Sequence, residues 1–327
     1  MKILILSDDD VRRALPMQQA IEAMKKAFTQ LSSGEADVPL RKVLRVPRHK
    51  GLTLFMPAYL ATDDKMAIKI ASVFEDNPAR GLPLINSIVV VIDTLTGEPS
   101  AMMDGAYITA LRTGAAAGLA TDLLARENAQ TVAIFGAGAQ GRTQLEAVCI
   151  VRQIQGAWVY DSVRERANAF ATESSRRLSL PVEVAATPAD AVRHADIIGT
   201  ATSSSTPVFA PDDIRAGVHI NAIGAFTPQM QEIPAETILR AKVVVDNKET
   251  ALAEAGDLLI PMQQGLMSES HIYGELGELT AGLKPSRSSP DEITVFESVG
   301  VAVQDVAAAG MTLEAARRQR LGTEIVL

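Results

Sequence analysis

Three glycines near the middle of the chain have the spacing of a dinucleotide-binding turn. Gly136, Gly138 and Gly141 follow the apolar run 131–135 in the order G-x-G-x-x-G. The first glycine of such a turn permits a sharp bend out of a strand, and the second lets the backbone approach a pyrophosphate. The third lets the next helix pack closely on the sheet. That helix is predicted to begin near Ala139, with its free N–H groups facing the phosphates.

An acidic residue follows at the distance that such a turn requires. Asp161 ends a second strand-like run, 157–160, about 20 residues after the last glycine, where a carboxylate accepts hydrogen bonds from ribose hydroxyls. Asp161 favours NADH over NADPH, because a carboxylate repels a 2′-phosphate, whereas the nearby Arg164 and Arg166 weaken that preference. The alternative is that Asp161 only caps the helix that begins near Val163.

Three basic residues stand in otherwise apolar or small-residue segments ahead of the glycines. Arg41, Lys69 and Arg112 each belong to a predicted strand or helix, and Lys69 shares its strand face with alanines. Each alone is more often a solvated or salt-bridged side chain, but together they would bind a carboxylate through charge-assisted hydrogen bonds. Asn86, near the start of an apolar strand, is a further candidate for contacting the carboxylate or ring of a substrate.

Charge and composition exclude several classes of protein. The 327 residues include 31 basic and 39 acidic side chains, and a net charge of -8 argues against binding to nucleic acid or to an anionic membrane. Cys149 has no partner for an internal disulfide, and no apolar run reaches membrane-spanning length. The four histidines show no metal-ligand spacing. We therefore expect a cytoplasmic protein with no metal site.

The elements that must position these residues fall into two patterns. Before residue 120 the chain reads as a helix, 16–32, followed by strand-like runs with the order of a β-meander and by a helix at 107–126. After residue 130 short strands alternate with helices: 132–135, 158–160, 182–184, 197–200, 219–223 and 243–246. A helix at 301–320 is expected to pack back on the first domain.

The predicted fold class is α/β, with two domains. Residues 121–300 form a Rossmann-type, doubly wound parallel sheet that binds the dinucleotide. Residues 1–120 with 301–327 form a discontinuous α+β domain that binds the substrate.

The chain resembles the ornithine cyclodeaminase/mu-crystallin family along nearly its whole length. The segments that carry the resemblance are 55–59, 67–69, 93–99, 104–105, 109–116, 135–141, 221–224 and 295–300. The resemblance implies a homodimer, in which the first domain also dimerises. It implies that the substrate carboxylate is bound by Arg41, Lys69 and Arg112. It assigns the cofactor to Gly136, Gly138, Gln140, Gly141 and Asp161, with Thr113 and Ser203 as neighbours of the cofactor.

One departure from the family pattern bears on the reaction. Cyclodeaminases carry an aspartate shortly after the segment that corresponds to 221–224, whereas this chain has Phe226 in that place. Glu232 lies six residues further along, too far to take the same position without rearrangement. An aromatic Phe226 against the cofactor ring suits a cyclic imine better than a diamine, and the segment is similar to the branch that reduces cyclic ketimino acids.

The resulting hypothesis is a homodimeric reductase that uses NADH or NADPH, with NADH favoured. Its substrate would be a small cyclic imino acid, Δ1-pyrroline-2-carboxylate and also Δ1-piperideine-2-carboxylate, giving L-proline and L-pipecolate. Lys69 would donate or organise the proton while Arg41 and Arg112 hold the carboxylate. The alternatives are an alanine dehydrogenase, an ornithine cyclodeaminase without the expected base, and a mu-crystallin-like protein that binds nucleotide or ligand without catalysis.

Overall fold

A long helix of mainly small residues, 105–124, contains the boundary between two units of the chain. The computed structural model describes residues 1–327, and the units are Met1–Arg112 with Val301–Leu327, and Thr113–Gly300. The boundary thus falls eight residues before the expected position at 120. None of the helices is both long and apolar enough to cross a membrane. The assignment of substrate binding and dimerisation to the first unit, and of dinucleotide binding to the second, stays a prediction.

The elements up to the boundary helix, in chain order, are β1 (Lys2–Leu6), α1 (Asp8–Ala14), α2 (Met17–Ser32), β2 (Ala36–Asp37), β3 (Lys42–Val46), β4 (Gly51–Leu60), β5 (Lys65–Phe74), β6 (Ile85–Ile92), β7 (Pro99–Asp104) and α3 (Gly105–Leu124). The elements after it are β8 (Thr131–Phe135), α4 (Ala139–Val151), β9 (Gly156–Tyr160), α5 (Arg164–Leu178), β10 (Val182–Val184), α6 (Pro188–Val192), β11 (Ile197–Thr200), β12 (His219–Ala222), α7 (Ala235–Arg240), β13 (Ala241–Val245), α8 (Lys248–Glu254), α9 (Gly256–Gln263), β14 (Ile272–Glu275), α10 (Leu276–Thr280), β15 (Ile293–Glu297), α11 (Ala302–Gln319) and β16 (Thr323–Val326).

The first unit is a largely antiparallel sheet with helices on one face. The strand order is β16-β1-β7-β6-β5-β4-β2, and β3 pairs with β4. Successive residues of β5 point to opposite faces, so Ala67, Lys69 and Ala71 share the buried face. Helix α11 covers this face and α2 packs on α11, with Met24 and Phe28 of α2 fully buried. Lys69 is therefore a charged residue in the core side of the sheet.

The second unit is a parallel sheet buried on both faces. Its eight strands run β10-β9-β8-β11-β12-β15-β13-β14, with every pairing parallel. Val132 and Ile134 of β8 pack into one core, and the alternating Ala133 and Phe135 pack into another. This pattern explains the continuous apolar run in the sequence. The predicted fold class, with a doubly wound parallel sheet and a second α+β part, is confirmed.

Several elements were not predicted. In the parallel sheet these are β14 and β15, and in the first unit they are α1, β2, β7 and β16. The six predicted strands of the parallel sheet and the helices at 17–32 and 302–319 are present close to their predicted bounds. Because β8 and β11 pair in parallel, their carboxyl ends lie side by side, as a nucleotide site requires.

Candidate active site

Lys69 lies in the first unit and forms a buried ion pair. Its side chain projects from β5 and is 3% exposed. Its Nζ donates a hydrogen bond of 2.9 Å to Oδ1 of Asp305, and the second carboxylate oxygen, Oδ2, lies 2.8 Å from the same nitrogen. Asp305 belongs to the first turn of α11, which packs on this face of β5. The pairing of β5 with α11 thus brings a lysine and an aspartate together from opposite ends of the chain.

Arg112 of α3 binds the same carboxylate. Its Nε donates to Oδ1 of Asp305 over 3.1 Å, and its Nη1 donates to Oε1 of Gln304 over 2.6 Å. Because Lys69 Nζ lies 2.9 Å and Arg112 Nε lies 3.1 Å from one oxygen, the two nitrogens are within 6.0 Å of each other. Gln304 Oε1 also accepts from the backbone N–H of Val301, which holds the amide in place. The Nη2 atom of Arg112 has no hydrogen-bond partner within the protein.

The charges around Lys69 act on its pKa. Burial lowers the pKa of Lys69 to about 8; Asp305 opposes this effect, whereas the charges of Arg112 and Arg41 lower the pKa further. Two cations, Lys69 and Arg112, therefore share one carboxylate. The excess positive charge in a dry environment favours the binding of a further anion, and a small carboxylate fits this requirement. The structure brings Lys69 and Arg112 together on Asp305, and the charge of Arg41 acts on Lys69; we call Arg41, Lys69, Arg112 and Asp305 the cationic cluster.

Asn86 does not lie on the same face of the sheet as Lys69, and its contact with a substrate stays a prediction. Asn86 pairs with Ser72 across the β5–β6 ladder, whereas Lys69 pairs with Val89. Directly opposed residues share a face and the side-chain period of a strand is two, so Asn86 lies on the other face of the sheet. Its side chain is exposed, and its amide donates to the carbonyl oxygen of Pro83. The strand was predicted, but its register could not be.

The glycine turn of the second unit has the geometry of a nucleotide site. Gly136 adopts φ +97°, and a Cβ there would overlap the carbonyl oxygen of Ala201. A Cβ on Gly141 would overlap the carbonyl oxygen of Gly136, so the helix could not approach the strand as closely. At Gly138 nothing lies within 4 Å of the Cβ position. Two glycines are thus required by the fold, and the third leaves the backbone open to a ligand.

A cavity of about 520 Å³ opens beside this turn. Its walls include Gly136, Gly138, Asp161, Ser203 and Arg166. The helix α4 begins at Ala139 over this turn, and the buried Oε1 of Gln140 lacks a hydrogen-bond donor. Thr113 is buried at the start of the second unit. The open glycine backbone and the unsatisfied amide oxygen suit a bound dinucleotide.

Asp161 accepts two backbone hydrogen bonds and also lines the cavity. Its Oδ2 accepts from the N–H of Ala137 and its Oδ1 from the N–H of Val163, each over 2.8 Å. The second contact forms a turn just before α5, whose N-cap residue is Val163. Each carboxylate oxygen can accept more than one hydrogen bond, and Asp161 also lines the cavity. It therefore remains able to accept ribose hydroxyls, with Arg166 on the same wall.

Both carboxylate oxygens of Glu232 bind backbone N–H groups and hold two loops together. It is fully buried, its Oε1 accepts from the N–H of Thr202 over 2.6 Å, and its Oε2 accepts from the N–H of Gly224 over 2.7 Å. Burial raises the pKa of the Glu232 carboxyl above its usual range. Phe226 has a half-exposed ring and does not line the cavity. Glu232 therefore cannot serve as the base that Phe226 replaces.

Sequence reasoning missed Asp305 and Gln304. An acid in the first turn of a helix is common, because it stabilises the helix dipole and caps free N–H groups. An acid at this place in the sequence therefore does not by itself indicate a buried ion pair. The only sequence signal was a pair of polar residues in an otherwise apolar, Ala-rich segment.

Comparison with known proteins agrees with the resemblance. The family model of the ornithine cyclodeaminase/mu-crystallin family matches residues 1–320. A Δ1-pyrroline-2-carboxylate reductase of Bacillus cereus is 40% identical over 324 residues, 99% of each chain. The structure of Thermococcus litoralis Δ1-pyrroline-2-carboxylate reductase in complex with NADH and L-proline has a TM-score of 0.95 and 41% identity, over 99% of this chain and 100% of that one.

An archaeal alanine dehydrogenase dimer with bound NAD has a TM-score of 0.93 and 34% identity, over the whole of both chains. The match thus extends through both units and through every segment that carries the candidate site residues. The chain belongs to the ornithine cyclodeaminase/mu-crystallin family.

Proposed function

We propose that this protein is an NADH-dependent reductase of Δ1-pyrroline-2-carboxylate that forms L-proline. The observation that carries the proposal is the cationic cluster, in which Lys69 and Arg112 share the single buried carboxylate of Asp305. A cyclic imino acid with one carboxylate supplies the missing negative charge. The similar T. litoralis enzyme, whose structure holds NADH and L-proline, supports the same substrate class. Δ1-Piperideine-2-carboxylate, with one more ring carbon, is proposed as a second substrate.

The residues of the cluster have separate tasks in this reaction. Arg112, with its unpaired Nη2, and Arg41 bind the substrate carboxylate. Lys69 gives a proton to the imine nitrogen, and a pKa of about 8 leaves its ammonium charged yet able to release that proton near neutral pH. Bound NADH supplies the hydride that reduces the imine carbon, so that C=N becomes CH–NH.

The glycine turn and the cavity beside it would hold the cofactor. Gly138 would allow the backbone to approach the pyrophosphate, and Asp161 would accept the ribose hydroxyls. A carboxylate at Asp161 supports the use of NADH at least as well as NADPH, although Arg166 on the same wall could pair with a 2′-phosphate.

Alanine dehydrogenase is the second candidate function, because a protein of that name matches over the full chain. Its substrates, pyruvate and ammonia, would also present one carboxylate to the cluster. Ornithine cyclodeamination has less support, since Phe226 stands where the acid is expected and Glu232 is occupied by backbone N–H groups. A binding protein without catalysis would not need a lysine whose pKa lies close to neutral pH.

A spectrophotometric screen tests the proposal. Oxidation of NADH and NADPH is followed with pyrroline-2-carboxylate, piperideine-2-carboxylate, and pyruvate with ammonia, and ammonia release from L-ornithine is measured separately. We expect the highest kcat/KM with pyrroline-2-carboxylate and little or no ammonia from L-ornithine. Lys26→Ala, on the exposed side of α2, is the control for Lys69→Ala. Faster turnover of pyruvate with ammonia would support the second candidate, and no oxidation with any substrate would support a binding protein.

We also propose that the protein is a homodimer joined through the open face of the first sheet. The face opposite Lys69 carries Phe55, Ile68 and Ile70, which are half-buried, and Leu44 and Ile88, which are 60% and 38% exposed. An apolar sheet face of this kind is expected to be covered by a partner. The related archaeal enzyme is a dimer, which favours a second copy of this chain.

Light scattering during size-exclusion chromatography tests the dimer. Ile70→Arg should give monomers, because it places a charge in the apolar face. Leu95→Arg, in a turn where the side chain is 93% exposed, should leave the dimer intact. A monomeric native protein, or an Ile70→Arg variant that stays dimeric, would contradict the proposed interface.

A further inference from the structure

Asp305 forms ion pairs with both Lys69 and Arg112. Its side chain is 1% exposed, and it meets residues that precede it by 236 and 193 positions in the chain. Its place in the first turn of α11 gives it a rigid backbone, because residues 302–310 of that helix are all buried. A carboxylate held this way can fix the position of two flexible cationic side chains.

The neighbouring Gln304 shows that this turn of α11 is organised around Arg112. Both partners of its Oε1, the Nη1 of Arg112 and the N–H of Val301, are donors, so that end of the amide must be the oxygen. Arg112 is therefore held at Nε by Asp305 and at Nη1 by Gln304. Its remaining nitrogen, Nη2, is left for a ligand.

We propose that Asp305 is the positioning residue of the substrate site, an inference that rests on the proposed function. It takes no part in the bonds that form and break. It holds the ammonium of Lys69 and the guanidinium of Arg112 within 6.0 Å of each other, although like charges repel, so that both can face one small substrate.

A second consequence concerns the proton on Lys69. The charged groups that act on it are Asp305 from α11, Arg112 from α3 and Arg41 from the segment before β3. Asp305 raises the pKa of Lys69, and the two arginines lower it. Loss of the Asp305 charge should therefore move the pKa of Lys69 down, whereas loss of the Arg112 charge should move it up.

The test follows the titration of Lys69 directly. Protein labelled with ¹³C at lysine Cε is titrated by NMR, and the Lys69 signal is the one that disappears in Lys69→Arg. We expect a midpoint near 8 in the unchanged protein. In Asp305→Asn, which keeps the shape but not the charge, the midpoint should fall by about one pH unit or more. Asp305→Glu restores the charge and should return the midpoint towards 8.

Kinetics with pyrroline-2-carboxylate and NADH provide the second readout. Asp305→Asn should lower kcat/KM by about tenfold or more, mainly through KM, and should move the alkaline limb of the pH profile to lower pH by the same amount as the NMR midpoint. Gln304→Met is the matched control, because Gln304 holds Arg112 but not Lys69. It should raise KM without moving the Lys69 midpoint.

The outcomes separate the two proposals. A wild-type protein that does not reduce the imine refutes the proposed function and, with it, the substrate role of Asp305. An active protein in which Asp305→Asn leaves the midpoint unchanged, or in which Gln304→Met moves it equally, refutes the positioning role alone. If Asp305→Asn does not fold, Arg112→Gln decides the matter, since its Lys69 midpoint must then rise.

Discussion

Substitution of alanine for each of two glycines in the turn 136–141 should give opposite results. At Gly136, φ +97° places a Cβ in a region that costs an L-residue about 1–2 kcal/mol. The added methyl group would also overlap the carbonyl oxygen of Ala201, an overpacking that typically costs about 1–3 kcal/mol. Gly136→Ala should therefore lose about 2–5 kcal/mol of unfolding free energy.

Substitution of alanine for Gly138 should cause no steric overlap. Nothing lies within 4 Å of the new Cβ, and φ is -84°, which any residue adopts. Stability should therefore change by less than about 0.5 kcal/mol. The methyl group would instead stand where the backbone is proposed to meet the pyrophosphate, so the affinity for NADH should fall by about tenfold or more.

Urea denaturation followed by circular dichroism measures the first effect, and titration of NADH fluorescence measures the second. Gly156→Ala is the control, because that glycine also has open space around its Cβ position but lies at the start of β9, outside the cavity. It should change neither quantity. The account of the turn fails if Gly136→Ala is as stable as the native protein. The cofactor site is elsewhere if Gly138→Ala binds NADH with native affinity.

Three further predictions concern other groups. Lys69→Ala and Arg112→Ala should each lower kcat/KM for pyrroline-2-carboxylate by about 30-fold or more, which corresponds to at least about 2 kcal/mol. The Kd for NADH should be nearly unchanged. An equal loss of NADH binding would contradict the assignment of these residues to the substrate. Asp161→Ser should raise the ratio of NADPH to NADH use in steady-state kinetics, and a tenfold NADPH preference in the native protein would argue against Asp161 as the discriminating residue. Glu297 is fully buried with no hydrogen-bond partner at either carboxylate oxygen, and burial raises its pKa well above 4.5. The folded protein therefore keeps a proton that the unfolded chain loses as pH rises, so this group lowers the stability of the fold at high pH. Glu297→Gln should therefore stabilise the fold in urea at pH 8, by about 1.4 kcal/mol for each unit of the raised pKa, and a variant less stable than the native protein at pH 8 would refute this reasoning.

The sequence was sufficient for features whose cause is local. The glycine spacing predicts the turn because the steric requirement for each glycine is set by residues close to it or by its own backbone angle, as at Gly136 with φ +97°. The run 131–135 predicts a buried parallel strand because both of its faces are apolar. Basic residues in apolar segments predict a nearby anion because a buried cation requires compensation, and Asp305 is such an anion for Lys69 and Arg112.

Other features depend on contacts that no local pattern encodes. The partner of Lys69 lies 236 residues away, and a first-turn acid already has an ordinary explanation in helix capping. The face of the sheet on which Asn86 lies could not be predicted, because a shift of one residue reverses the faces of a strand. The strand β14 was missed because its sequence, Ile-Tyr-Gly-Glu, contains a glycine and has no apolar run.

The division of the first unit between the two ends of the chain has a consequence for its synthesis. Arg112 leaves the ribosome 193 residues before Asp305, an interval of about 10–40 s at typical rates of elongation. During that time the whole second unit, Thr113–Gly300, becomes available to fold. Lys69 and Arg112 of the first unit have been synthesised by then, but Asp305 has not. A chain that stopped at Gly300 would carry the nucleotide turn but not Asp305. Only a translation product that reaches α11 can therefore complete the cationic cluster, so substrate binding is coupled to the synthesis of almost the full chain.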